Sequence, residues 1–400
     1  MRLRQFWLLV LVTLAVPVSA QTLPEGPVRA FDGHLLIGAE VVATIGDDDD
    51  TAFFNFTDYE HNVLRLFRVG MSAVWQPASR IALVGEVRSE DLQDVKPYAA
   101  YVRIRPWPER GFDIQVGRIP PAFGAYGRRG YASDNILIGY PLAYQYLTSL
   151  RTDAIPATHA DLLRMRARGW QPSYPVGAQT VDTGVPLVSG FRWDTGVEAH
   201  WSSNVAELTG AVTTGTLSDP RVSDNNGGRQ ISGRAAWKPA TGLIFGASAA
   251  HGDWLDSRVA ELLPEPHGYT QTAWGADAEY SRDHWLARGE LVWSRWRLPF
   301  AVTNPAGENL DALGMWVEGR YRITPRIFTA ARVDHLGFSK ITGAGGIPID
   351  WDAPVMRVEY DVGYYIQRNL VARLAVQYND RPAGRVTQRT YFAGQLSYWF

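Results

Sequence analysis

Arginines and carboxylates recur along this chain at intervals of two, alternating with apolar side chains, and the spacing decides what chemistry they can do. Glu318, Arg320 and Arg322 alternate with Leu313, Met315, Val317 and Tyr321, and Arg357, Glu359 and Asp361 alternate with Met356, Val358, Tyr360 and Val362. Arg68, Arg88, Arg103, Arg105, Glu198, Arg234, Asp277, Glu279, Arg288, Glu290, Arg332, Asp334 and Arg373 fall on the same side of further segments of this kind. A period of two places alternate side chains on one face of a strand. A wall that gathers both signs of charge can align polar solutes in a transverse field and retard apolar ones. The bland alternative is that guanidinium and carboxylate partners only zip a closed interior together.

Other chemistry finds little support. The chain has no cysteine, which removes disulfides, thiol catalysis and thiolate metal sites. Its eight histidines show no His-x-x-x-His or comparable ligand spacing, and no Gly-x-Ser-x-Gly elbow occurs. His335 follows Asp334, but neighbours on a strand face opposite ways. No enzyme activity, metal or cofactor is expected. Asp47-Asp48-Asp49-Asp50 lacks the alternating ligands and closing Glu of a calcium loop. It reads as a solvated acidic tip, although clustered carboxylates could bridge divalent ions to lipopolysaccharide.

The elements that must carry these residues are strands about as long as the roughly 9 to 11 residues that a tilted strand needs to cross a bilayer. From Gly33 onward about sixteen can be drawn, with fourteen to eighteen acceptable: 35–45, 63–75, 80–90, 96–105, 112–119, 191–201, 204–215, 229–238, 242–252, 271–281, 285–295, 313–322, 327–337, 356–364, 370–379 and 390–400. Arg65 and Phe328 break the phase within their strands. Short connections such as 76–79, 202–203 and 282–284 alternate with long ones such as 46–62, 120–190 and 338–352, the pattern of periplasmic turns and outer loops. A barrel of about this strand number leaves an aqueous channel, whereas about eight strands can be filled by side chains.

At the amino terminus, Arg2 and Arg4 precede an apolar run, Phe6 to Val16, and then Val18-Ser19-Ala20, which reads as a secretory signal over 1–20. Residues 21–32 are expected in the periplasm and 33–400 in the barrel. Net charge is −2, from 39 Lys and Arg against 41 Asp and Glu, so nucleic acid is not an expected partner. The 15 Trp and 18 Tyr suit a boundary that is apolar on one side and wet on the other.

Gln395-Leu396-Ser397-Tyr398-Trp399-Phe400 resembles the signal by which bacterial outer-membrane barrels are passed to their insertion machinery, with Phe400 as its last residue. Asp113 to Gly124, ending Pro120-Pro121-Ala122-Phe123-Gly124, resembles the strand-then-Pro-Phe-Gly passage of phosphate-selective porins. No run of lumenal lysines accompanies it, so phosphate selectivity does not follow. In rank and length the connection 120–190 resembles the third loop of general porins, which folds inward and narrows the barrel. Within it Thr158 and Asp161 form a capping-box-like helix start, and Gly169 sits where a C-cap glycine belongs. Arg164, Arg166 and Arg168 are then expected at the constriction, with an external surface helix as the alternative. The resemblance implies a transmembrane antiparallel all-β barrel acting as a diffusion channel in the outer membrane, touching lipid and lipopolysaccharide and assembling as a homotrimer. The rivals are a barrel enzyme or adhesin with a closed lumen and, more remotely, a soluble polysaccharide-binding β-protein.

Overall fold

The structure is a computed structural model and describes residues 23–57, 61–190, 192–299 and 309–400. The signal peptide expected at 1–20 lies outside the described residues. Alternation of apolar and polar residues produces sixteen long strands: β1 (Leu35–Gly46), β2 (Phe67–Ala78), β3 (Ile81–Glu90), β4 (Val95–Ile104), β5 (Phe112–Ile119), β6 (Asp194–Ser202), β7 (Ala206–Thr213), β8 (Gln230–Ala240), β9 (Leu243–Asp253), β10 (Thr270–Arg282), β11 (Trp285–Arg297), β12 (Asn309–Arg322), β13 (Ile327–Phe338), β14 (Val355–Gln367), β15 (Leu370–Asp380) and β16 (Thr390–Trp399). Each pairs antiparallel with its neighbours in chain order, and β16 pairs with β1, so the sheet closes into a barrel. Closure leaves no free strand edge, which is what allows a sheet to cross a bilayer. Phe400 completes the seam: its N–H donates to the Ala39 carbonyl at 3.0 Å and its carbonyl accepts from the Ala39 N–H at 3.1 Å. A short strand, Val28–Ala30, pairs with Leu35–Ile37 at the foot of β1.

The outward face is the apolar one. Val317, Leu374 and Phe392 are exposed, and Trp75, Trp237, Trp285 and Tyr321 ring the end with the short turns. Trp285 packs on Tyr321 across the β11–β12 pair with ring centroids 4.6 Å apart. Such a barrel, apolar outside and charged inside, is built for the outer membrane of a bacterium. The two phase breaks have different causes. Arg65 precedes β2, which starts only at Phe67, and it pairs with Asp48 at 2.7 Å. Phe328 lies within β13 but faces the lumen, where it is buried.

Among the described residues, outer loops 1 and 3 bury side chains against the barrel interior. Loop 1 (47–66) buries Phe54, Asn55 and Leu64, and loop 3 (120–193) carries the short helices α1 (Leu142–Gln145) and α2 (His159–Arg164). The acidic run of loop 1 is therefore not a solvated tip. Asp47 accepts the Phe392 N–H at 2.9 Å, Asp48 holds Arg65, and Asp49 is buried, accepting both the backbone and side-chain N–H of Asn55 at 2.9 Å. Among the described residues no group of three metal ligands occurs.

Candidate functional site: the loop-lined lumen

Strand register stacks the inward charges into cross-strand pairs. Glu279 lies opposite Arg288, Arg288 opposite Glu318, Glu318 opposite Arg332 and Arg332 opposite Glu359. The side chains meet accordingly: Arg332 reaches Glu359 at 2.8 Å and Glu318 at 3.4 Å, Arg288 reaches Glu279 at 3.1 Å, and Arg234 reaches Asp277 at 2.6 Å. On the far wall Arg68 pairs with Glu90 at 2.9 Å and Arg88 with Glu86 at 2.7 Å. Arg103 and Arg320 are half-buried, and Arg105 stands exposed just past the end of β4.

Most of these charges do not face open water, because the first part of loop 3 lies against them. The N–H groups of Ala125, Ile138, Gly139 and Leu142 donate to Glu290, Asp361, Glu359 and Asp334 at 2.9, 2.9, 2.6 and 2.5 Å. Ala132 donates to Glu40 at 2.7 Å and accepts from Arg373 at 2.9 Å. Arg357 donates to the Tyr140 carbonyl at 3.1 Å and Arg88 to that of Gly130 at 3.1 Å. The loop's own Arg128 and Arg129 reach out to Glu198 and Glu279 at 2.8 and 2.7 Å. A buried peptide group without a partner costs about 1–3 kcal/mol, and this stretch of the loop has no ladder of its own. Wall side chains supply the missing partners.

An apolar contact seats the tip. Ile136 and Leu137 pack on Leu286, Phe328, Ala330 and Val371, which explains why Phe328 interrupts the polar phase of its face. Close approach is written into two glycines. A Cβ on Gly124, whose φ is +75°, would stand 2.2 Å from the Tyr144 hydroxyl, and one on Gly139 would stand 2.4 Å from Glu359. In the sequence Gly124 belongs to the Pro-Phe-Gly passage, whereas nothing local marks Arg128, Arg129 or Gly139; the run of Tyr126, Tyr131, Tyr140, Tyr144 and Tyr146, long side chains ending in a hydroxyl, is the available signal of a loop that is buried and bonded.

The arginine run lies elsewhere. Thr158 and Asp161 form the expected capping box of α2. Arg164 is exposed and pairs with Asp161 at 3.6 Å, Arg166 lies 3.9 Å from Asp350 of loop 7 (339–354), and Arg168 is exposed. Asp352 of loop 7 fixes this part of loop 3, accepting the N–H groups of Ser149 and Ala167 at 2.7 and 2.8 Å. Burial raises its carboxyl above the usual range, and the N–H donors oppose the rise.

Free space remains beside the β7–β11 wall. A cavity of about 190 Å³ is lined by Arg128, Arg129, Arg234 and Arg288 together with Glu207, Asp277 and Glu279. Above it, nearer the long loops, a second cavity of about 310 Å³ lies among Thr152, Asp153, Asp182, Ser189, Arg192, Asp219 and Arg221. Guanidiniums and carboxylates thus border the unfilled volume on both sides.

No family model and no curated protein matches the chain. Among solved structures, the anion-selective porin of Comamonas acidovorans is similar over 92 % of this chain and 99 % of its own, at 8 % identity and a TM-score of 0.54. The outer-membrane channel DcaP of Acinetobacter baumannii covers 94 % of this chain and 100 % of its own, at 10 % identity and a TM-score of 0.53. This chain has the porin fold. OmpT of Vibrio cholerae, an outer-membrane protein in a trimer form, shares it as well, at 11 % identity and a TM-score of 0.53 over 92 % of this chain and 99 % of its own. At such identities the likeness speaks for the porin fold and leaves the choice of solute to the residues of this lumen.

Proposed function

We propose that the protein is a passive, non-enzymatic diffusion channel for small hydrophilic solutes, narrowed by loop 3. The observation that carries this reading is the cavity between Arg128 and Arg129 of the loop and Arg234, Asp277, Glu279 and Arg288 of the wall, where paired charges of both signs border the free space. A solute moves down its own gradient, so the chain needs only to supply a wetted path and a field across it. Arg234, Asp277, Glu279 and Arg288 border that path, Glu198 is buried behind Arg128, and Arg103 and Arg320 are half-buried on the wall. Arg68, Arg88, Glu290, Asp334, Arg357, Glu359 and Arg373 hold the loop that shapes it, and Glu318 and Arg332 pair with them along the wall. Arg164, Arg166 and Arg168 belong to the outer rim in this reading, and Phe400 to the assembly signal. Lipid, lipopolysaccharide and the insertion machinery are the proposed partners, and a homotrimer the proposed assembly.

Single-channel recording in planar bilayers tests the proposal: the folded protein should give discrete conductance steps, and removing the wall-bound tip of loop 3, residues 133–139, should enlarge them. A second reading, a barrel closed until loop 3 moves, is favoured by the hydrogen bonds that tie loop 3 to strands around the lumen. It requires silence from the intact protein and conductance only after the tip is removed.

A further inference from the structure

The cavity of about 310 Å³ at the outer mouth lies between loop 3, loop 4 (214–229) and loop 5 (254–269). Its charges balance in number but not in pairing. Arg151 takes Asp153 in a bidentate pair, both bonds at 2.9 Å, and Arg258 takes Asp256 in another at 3.1 and 2.9 Å. The other two guanidiniums share one carboxylate. Arg192 reaches one oxygen of Asp219 at 3.4 Å, Arg221 bonds the second, and the Thr152 hydroxyl donates to that second oxygen at 3.0 Å. Nε of Arg221 is buried with no hydrogen-bond partner.

The last carboxylate of the cavity, Asp182, has no cation within pairing distance among the described residues, and it accepts the N–H of the adjoining Thr183 at 2.7 Å. Its segment is fixed, because Val185 donates to the Leu150 carbonyl at 2.8 Å and accepts from the Thr148 N–H at 3.1 Å. Gln145 adds a further donor. It is buried, its carboxamide oxygen accepts from Arg357 at 3.3 Å, and its Nε2 has no partner. One cavity thus holds a guanidinium in excess, unused N–H donors and an unused carboxylate. A simple anion would answer the first two and leave the third, and a simple cation would do the reverse. A solute bearing both a carboxylate and an ammonium answers all three and leaves the charge of the cavity unchanged.

We infer that this cavity captures a small zwitterion, an amino acid or short peptide, with its carboxylate between Arg192 and Arg221 and its ammonium on Asp182. The step from capture to uptake rests on the diffusion channel proposed above; the capture itself does not.

Isothermal titration calorimetry of the full-length protein in detergent tests this with three probes: dialanine, its N-acetyl form, which lacks the ammonium, and its amide, which lacks the carboxylate. Dialanine should bind roughly tenfold or more tightly than either capped form, the scale of one charge-assisted hydrogen bond. Asp182→Asn should lower dialanine to the affinity of the N-acetyl form and leave that form's own affinity unchanged. Arg192→Gln, which returns Arg221 and Asp219 to a one-to-one pair, should lower dialanine to the affinity of the amide. Equal binding of the three probes, or no measurable binding of dialanine, would overturn the site. Wild-type selectivity in both variants would overturn its assignment to these residues. Conductance in planar bilayers, read separately, keeps the two readings apart: selective binding by a protein that does not conduct would support the site and sink the channel, and conduction without binding would do the opposite.

Discussion

Two stretches of the lumen wall carry the same alternating charges and use them differently. On β13 and β14, Asp334, Arg357 and Glu359 are 0 % exposed and Arg332 is 1 % exposed, and their atoms are bonded to one another or to the backbone of loop 3. On β7, β8 and β10, the side chains of Glu207, Arg234 and Glu279 keep 25, 15 and 24 % of their surface. They pair across strands and border open volume. The difference teaches that an inward charge in a wide barrel has no fixed meaning. Where loop backbone leans on it, it stands in for a missing β-ladder; where only side chains meet it, as Arg129 meets Glu279, it stays beside open space.

The largest effect should come from an exchange across that divide. Arg332→Ala would strand Glu318 and Glu359 in a buried site, and removing one partner from such a network costs roughly 3–5 kcal/mol. Arg234→Ala would leave Asp277 beside a cavity that water can enter and should cost less, roughly 1–3 kcal/mol. The temperature at which the folded band is lost in detergent gels reads the first, and the reversal potential in a salt gradient should move toward cations for the second. Comparable destabilisation by both substitutions would erase the distinction between the walls.

A smaller effect sharpens the account of how the loop is held. Leu137→Ala removes part of the apolar seat against Phe328 and Val371 and should weaken it by ~2 kcal/mol or more. Hydrogen exchange at residues 132–142 should quicken while the strands stay protected. Equal protection in variant and wild type would mean that the polar contacts suffice alone.

The smallest effect is local and depends on pH. Burial lifts the Asp49 carboxyl to about 7, against the hydrogen bonds from Asn55. A carboxyl raised on folding contributes stability that is complete below the ordinary carboxylate range and is lost as pH rises through the folded value. The tucked form of loop 1 should therefore loosen between about pH 4 and 7. Exchange at residues 52–56, corrected for intrinsic rates, should accelerate over that interval in the wild type and stay flat in Asp49→Asn. A flat wild-type profile would place loop 1 with the invariant wall.

The barrel was legible because its determinants are local. Each strand repeats the same two-residue code, and the turns between them are read from a few residues, so β5 falls at 112–119 both in the sequence reading and in the structure. Residues 63–66, drawn as the start of a strand, instead bury Val63 and Leu64 within loop 1. Loop 3 was legible as long and as capped at Thr158, but its partners were not. Nothing near Ala125 or Gly139 in the chain announces Glu290 or Glu359, because those contacts join residues 165 and 220 positions apart. The acidic run at 47–50 misled for the same reason, since its meaning lies in Asn55, Arg65 and Phe392.

Ala132 binds Glu40 of β1 with its N–H and Arg373 of β15 with its carbonyl, two strands that flank β16. Seen as a folding problem, closing this ring requires β1 to find β16, a contact between the two ends of the chain and entropically among the most expensive it makes. A loop bonded to strands on either side of the last one acts as an internal splint, narrowing the search before the seam zips. Ala132→Pro removes the N–H bonded to Glu40 and leaves the seam residues untouched. Slower appearance of the folded form in detergent refolding, with the rate of unfolding little changed, is the kinetic signature of a splint that works before closure.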